Sequence, residues 1–334
     1  MGTPTKRAQT SILLASVLFG TIQAANLDTP SQKAFRYLAS ESLQWARDNK
    51  CYSCHNNGDA ARALFLTASD SNEFSNPQWN ELFSWYRKPE GWIDATNSDL
   101  DLSPTLGLVQ FGAASRSALR HAPSFSRATD ASRLQSRILA AQHEDGFWRV
   151  ESEGQIGSPG TYGNVLGTLM ALEILAYEPT PQVQTAITRS IDWVYAQSPQ
   201  ATIELAAGAQ ILKRSPAPEK QSKSNRWLRT LVDQQNSDGG WGPYRSQFSE
   251  VFDTAIALIA LSAQTTPKIG GPAIHRGRSF LFKTQESYGG WPETTRPTGG
   301  TSYAQHISTS AWALIAINAI ADQPPQTDTI RNAP

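Results

Sequence analysis

The chain has 334 residues, and its 29 Lys and Arg balance 29 Asp and Glu to a formal net charge of zero. With no basic block, this composition excludes a nucleic-acid or anionic-membrane surface as the main partner. Two cysteines are too few for a disulfide-stapled scaffold, and the length suits one large domain or two ordinary ones.

At the N-terminus, Lys6 and Arg7 precede a short apolar core, residues 11–22 (SILLASVLFGTI), and then Gln23-Ala24-Ala25. Charge, apolar run and small residues in that order form the pattern of a secretory signal peptide. A buried helix is the plainer reading of the apolar run, but it leaves the order unexplained. Residues 1–25 are therefore expected to be a signal peptide, and the protein to be periplasmic or secreted. No later run reaches ~18 apolar residues, so no integral membrane span is expected in the mature chain.

Both cysteines fall in Cys51-Tyr52-Ser53-Cys54-His55. Cys-x-x-Cys-His is the spacing of a c-type haem attachment site. It offers one thiol to each vinyl group of the porphyrin and an adjacent imidazole to the iron. A closed zinc site wants about four ligands, and no third cysteine exists. The motif predicts one covalent haem c on Cys51 and Cys54, with His55 as proximal iron ligand, in an inter-helix loop at 51–55. An exported haem protein of this kind would have a redox role, in electron transfer or haem-dependent oxidoreductase chemistry, with a periplasmic redox partner.

Further along, the chain repeats itself. Gln142…Gly146-Phe-Trp148, Gln235…Gly239-Gly-Trp241 and Gln285…Gly289-Gly-Trp291 all read Gln-x-x-x-Gly-x-Trp. Each follows a helical stretch with a polar side. Each precedes a helix apolar nearly all round: residues 167–175, 253–261 and 309–317. Such helices should be buried on most faces. Weaker copies lead into residues 59–67, 104–112 and 204–212. Six polar-outer, apolar-inner pairs predict an all-α fold, a closed (α/α)6 toroid of twelve helices. Closure buries every inner helix and leaves no uncapped repeat end. The expected domain is residues 26–321, with 322–334 a flexible tail.

The third motif with its leader, Arg276-Gly277-x-x-Phe280-Leu281-x-x-x-Gln285-x-x-x-Gly289-x-Trp291, matches the QW repeat of squalene-hopene and oxidosqualene cyclases. The chain resembles the terpene cyclase and protein prenyltransferase toroids over roughly residues 33–321. In that family the Gln caps backbone groups, the indole packs against it, and both tie outer helices together. The resemblance does not carry the chemistry with it. Class II cyclases protonate their substrate with the second Asp of Asp-x-Asp-Asp before Thr-Ala. Here the matching run is Glu250-Val-Phe252-Asp253-Thr254-Ala255, and Phe252 stands where the acid should be. A benzene ring has no proton to give. Asp99-Leu-Asp101 half-resembles the motif in another repeat. Prenyltransferase zinc would need Asp, Cys and His; Asp253 and His306 match, but Ala255 replaces the cysteine, leaving too few ligands.

Aligned on their inner helices, the six repeats place Asn56, Asp101, Asn164, Ala201, Glu250 and His306 at one mouth of the ring. Helix-capping preference explains the Asn and Asp members; it does not explain Glu250 and His306. Ring closure brings His306 towards His55, which makes His306 the candidate distal iron ligand. Its plainer role is a rim hydrogen bond. Candidate catalytic residues are Asp101, Glu250, Asp253 and His306. Tyr162, Phe252 and Trp312 are candidates to line a cavity for an apolar small molecule. Two other functions compete with the redox reading. One is an enzyme acting on an isoprenoid or apolar substrate without the class II acid. The other is a carbohydrate-active α/α barrel using paired carboxylates such as Asp101 and Glu250.

Overall fold

Composition alone separates two kinds of helix, and the computed structural model sorts them into two concentric layers. It describes residues 29–49, 54–67, 81, 104–121, 128–150, 163–264, 269–293 and 303–321. Eleven helices lie within these: α1 Pro30–Asn49, α2 Cys54–Thr67, α3 Pro104–His121, α4 Ala128–Ala140, α5 Gly163–Leu175, α6 Pro181–Ala196, α7 Thr202–Leu212, α8 Pro218–Asp233, α9 Val251–Ser262, α10 Gly271–Thr284 and α11 Tyr303–Ala321. Helices α2, α3, α5, α7, α9 and α11 pack side by side in that order, and α11 returns to pack on α2. They form the closed inner ring. The remaining five lie outside it. Of the expected sixth outer helix, near residues 79–87, only Glu81 is among the described residues, and residues 1–25 and 322–334 lie outside them. Among the described residues there is no β-strand; pairing is limited to the isolated bridges Ala201–Tyr244 and Trp241–Glu250.

Burial follows the two patterns. In α5, 10 of 13 residues are buried; in α8 only 4 of 16 are, and they line one stripe, Ser224, Trp227, Leu228 and Leu231. A helix flanked on all sides tolerates no polar face, whereas an outer helix needs a single apolar stripe. Outer helices also carry start signals. Proline stands in the first turn of α1, α6, α8 and α10, where its missing N–H is not needed. At α1 a capping box closes: Thr29 Oγ1 accepts from Gln32 N (3.2 Å) and Gln32 Oε1 accepts from Thr29 N (2.9 Å). Thr180 Oγ1 caps α6 through Val183 N (3.2 Å).

The three Gln-x-x-x-Gly-x-Trp motifs fold alike and act as clamps. Each glutamine amide donates twice: to the carbonyl of its own motif glycine and to the next outer helix. Gln142 reaches Gly146 O and Ala186 O, both at 2.9 Å. Gln235 reaches Gly239 O (2.7 Å) and Ala273 O (2.8 Å). Gln285 reaches Gly289 O (2.8 Å) and Pro30 O (2.9 Å), so the last motif holds the first helix. The indoles do not simply pack on the amides, as the family resemblance implied. Trp148, Trp241 and Trp291 each donate Nε1 at 2.7 Å to a carbonyl of the preceding outer helix, of Ile138, Leu231 and Leu281. Their backbone N–H groups donate to Thr168, Thr254 and Ser310 hydroxyls on the following inner helix. One motif therefore joins three helices.

The motif glycines are fixed by geometry. Gly146, Gly239 and Gly289 have φ of 102°, 93° and 102°, and a Cβ on Gly289 would lie 2.5 Å from Lys33 O. Gly289→Ala should lower stability by about 3 kcal/mol, combining left-handed strain with overpacking. Urea denaturation measures it; a loss below about 1 kcal/mol would mean the turn relaxes freely. The fourth repeat lacks this loop. There Lys223 of α8 donates Nζ to Tyr195 O (2.6 Å) and Gln197 O (3.0 Å), holding the C-terminal end of α6 instead.

Candidate active site

The seam that closes the ring, between α2 and α11, carries the polar groups. Asp59 sits on α2 with no exposed surface. Its Oδ2 accepts from Ser308 Oγ (2.5 Å) and Trp312 Nε1 (3.1 Å), both on α11. Burial pushes its carboxyl up from 3.8 to about 7, against the opposing pull of Ser308, Arg62, Trp312 and Gln110. A carboxyl so placed still holds its proton near neutrality, the condition for a general acid. Arg62, one turn further along α2, lies with Cζ 4.9 Å above the Trp312 ring centroid. Phe252 of α9 also meets Trp312, edge-on, 6.0 Å between centroids. At the far end of the same seam Asn318 Nδ2 donates to Thr67 Oγ1 at 2.6 Å.

Helical spacing shows which way these groups face. Gly58 abuts Gln110 of α3, and Asp59 faces α11. At 100° per residue, Arg62 falls roughly 40° round from Gly58, between the two flanking helices. With α1 packed on α2 from outside, Arg62 points into the ring.

The sequence-derived candidates meet different ends. Asp253 is wholly buried on α9 beside Phe252, which is also buried. Glu250 caps α9: its N–H donates to Trp241 O (2.9 Å) and its carbonyl accepts from Thr254 N (3.0 Å). Asn164 Oδ1 accepts from Val150 N (2.9 Å). Asn164 and the main chain of Glu250 thus serve repeat junctions, whereas His306 pairs with a side chain. His306 Nε2 lies 2.7 Å from Tyr288 Oη, and Tyr37 stands against both rings, at 5.7 and 5.2 Å. Burial, then Glu286, Glu293 and Glu41, raises the Tyr288 phenol. Asp101, Tyr162 and Cys51 lie outside the described residues. Cys54 and His55 open helix α2, so the motif runs into an inner helix and is not confined to a loop.

Asp59 and Arg62 were not among the residues picked out from sequence. The available signal was their placement: two charged residues inside an inner helix that is otherwise apolar in its second half. Asp59 also shares the register of Asp253.

Comparison with known proteins follows the fold. No protein-family model matches the chain. In sequence it is similar to drimenyl diphosphate synthase from Streptomyces showdoensis, 25% identical over 189 residues, which are 52% of this chain and 34% of that protein. The chain thus spans about a third of that relative's length. In structure it is similar to the type II terpene cyclase MstE from Scytonema in complex with geranylgeranyl dihydroxybenzoate, with TM-score 0.57, 10% identity and coverage of 87% of this chain and 97% of that one. ent-Copalyl diphosphate synthase from Streptomyces platensis matches at TM-score 0.51, 16% identity, 79% and 50% coverage. A polysaccharide lyase matches at TM-score 0.53, 10% identity, 89% and 100% coverage. The fold is a terpene cyclase-like α/α toroid.

These findings correct the haem reading. The sequence relative is a diphosphate synthase and the structural neighbours include type II cyclases, so the haem c on Cys51 and Cys54, the redox role and the electron-transfer partner are withdrawn. The geometry agrees: His306 is turned to Tyr288. Among the described residues no group of three or more His, Cys, Asp or Glu side chains could hold a metal ion. Among them, too, no helix is long and apolar enough to cross a membrane.

Proposed function

We propose that this protein is an enzyme acting on an isoprenoid or similarly apolar chain held in the helical ring, with Asp59 as its proton donor. The observation that carries this reading is the wholly buried Asp59 carboxyl at the α2–α11 seam, held by Ser308 and Trp312 and raised to about 7 by its burial. The O–H bond of Asp59 breaks as a C–H bond forms on a substrate double bond. The alkene supplies the electron pair, the carboxylate is left behind, and the positive charge rests on the neighbouring carbon. Trp312 on this seam and Phe252 on the neighbouring α9 offer aromatic rings beside it, and an aromatic face attracts such a cation. The hydrogen bonds from Ser308 and Trp312 stabilise the carboxylate as it forms. Phe252 occupies the acid's place in the class II pattern, so a proton donor must come from elsewhere in the ring. The similarity to drimenyl diphosphate synthase and the three tryptophan clamps favour this reading over a carbohydrate-active barrel. The N-terminal charge, apolar core and small-residue order supports a periplasmic or secreted location, which cell fractionation checks.

Incubation of the purified chain with farnesyl diphosphate, geranylgeranyl diphosphate and their alcohols, followed by gas chromatography after phosphatase treatment, tests the activity. Asp59→Asn keeps both hydrogen-bond acceptor contacts but no acidic proton. It is expected to lower product formation by about a hundred-fold or more, the usual worth of a positioned acid. Full activity in that variant would remove Asp59 from the mechanism.

A further inference from the structure

We propose that the mouth of the ring at its fourth and fifth repeats is a self-association surface, where the Phe248 ring of one protomer enters the cleft beside Trp227 of a second copy. This surface is separate from the proposed chemistry: in the inner ring α7 stands across from α2 and its Asp59. The connection from α8 to α9 makes the knob, and it is pinned on two sides. Thr202 of α7 donates its N–H to Pro243 O (2.9 Å) and its hydroxyl to Gly242 O (2.6 Å). Asn236 Nδ2 donates to Gln247 O (2.7 Å), and Ser249 Oγ to Asp238 Oδ1 (2.7 Å). Between these anchors Ser246 takes a left-handed φ of 64°, a conformation that costs a non-glycine residue energy. The phenyl ring is thereby held out into water: Phe248 is 95% exposed, and Tyr244 on the same loop is 49% exposed. A ring presented by a pinned loop has little freedom left to lose on binding.

The hole lies one repeat away. The connection from α6 to α7 is residues 197–201 alone, without the loop of the clamped repeats. It borders a cleft lined by Val165, Val194, Pro199, Glu204 and Trp227, of about 270 Å³ with its open mouth included. Small-molecule pockets run to ~300–1,000 Å³, so one protruding ring suits this cleft better than a free ligand. Knob and hole share one mouth of the ring. Val165 follows Asn164, Pro199 stands just before Ala201, and Phe248 just before Glu250; the Ala201–Tyr244 bridge joins the two connections. A two-fold pair requires this, because each chain must offer both halves of the contact on one surface. That requirement singles out a second copy over an unrelated partner. Charge agrees. Arg245 is exposed on the knob loop and Glu204 lines the cleft, so pairing sets a guanidinium against a carboxylate at both contacts.

Sedimentation velocity of the full chain, as wild type, Phe248→Ser and Ser198→Trp, tests the pairing. The wild type is expected to pass from monomer to dimer between about 5 and 200 µM, the range of a small contact. Phe248→Ser removes the knob, and Ser198→Trp fills the hole from an exposed position on its lining. Each is expected to weaken pairing by about ten-fold or more. Mixed, the two variants are expected to recover part of it, because Phe248 of the one chain still finds the open cleft of the other. A wild type that stays monomeric across that range overturns the proposal. So does a dimer that both variants leave intact, or a mixture that pairs no better than its parts. Binding to phosphatidylcholine vesicles that requires Phe248, by a chain that stays monomeric, overturns it as well and assigns the ring to a lipid surface. If either variant loses its helical circular dichroism, Arg245→Glu on the exposed loop replaces it, and an undiminished dimer there overturns the proposal equally.

Discussion

The stability of the wild type relative to Asp59→Asn should fall as pH rises from about 4 to about 7. Asp59 is fully buried, and its carboxyl is raised from 3.8 to about 7 by desolvation. Between those values the folded chain holds a proton that the unfolded chain has released. Stability therefore decreases with pH through this window and levels off above it. A shift of about three pH units corresponds to about 4 kcal/mol. The opposite slope belongs to exposed, salt-bridged carboxylates such as Glu81, which the Arg47 hydrogen bond lowers. The comparison must therefore be the difference between wild type and variant, which cancels all other groups. Asparagine can still accept from Ser308 and Trp312, so the variant should be the more stable protein at pH 8. Urea melts at pH 5, 6, 7 and 8 give the difference curve. A curve that is flat, or that rises with pH, would mean Asp59 is ionised in the folded chain.

The same residue shows what the sequence makes legible. Outer and inner helices separate by composition because burial on one side or on all sides leaves different marks. The clamps are visible because glycine at φ near 100° and a buried indole have few substitutes. Residues 142–148, 235–241 and 285–291 therefore announced the toroid. The site was less legible. Asp59 and Ser308 are 249 residues apart, and only closure of the ring makes them partners. Periodicity reveals which helices are inner, but not which side chains meet at a seam. The Cys-x-x-Cys-His run misled for a related reason. Its spacing is a local signal, whereas the role of residues 51–55 depends on the inner helix that Cys54 and His55 begin. Phe252 was readable because a resemblance supplied a register against which its chemistry was wrong.

Trp291→Ala should be the most damaging of the three clamp substitutions, costing about 4 to 6 kcal/mol. Trp291 is 0% exposed, and removing so large a buried side chain usually costs about 3–5 kcal/mol through lost transfer energy and the cavity left behind. The bond from Nε1 to Leu281 O (2.7 Å) is lost as well, which leaves that carbonyl only the longer contact from Thr284 Oγ1 (3.3 Å) and adds about 1 kcal/mol. Trp148 and Trp241 are equally buried and make the same bond to Ile138 O and Leu231 O, so contact energy alone would rank the three together. Position separates them. The clamp at Trp291 sits beside Gln285, whose amide holds Pro30 across 255 residues of chain. Loosening it weakens the junction between the last repeat and the first. An opened ring exposes two apolar helix faces where the closed ring exposes none. The junctions at Trp148 and Trp241 join neighbouring repeats, and the closed ring still holds them on both sides. Chemical denaturation of the three alanine variants should therefore place Trp291→Ala lowest, with a broader transition as the terminal helices detach first. Hydrogen exchange should show α1 and α11 losing protection before α5 and α7. Equal losses and equal exchange in all three variants would show that closure adds nothing to the strength of the individual clamps.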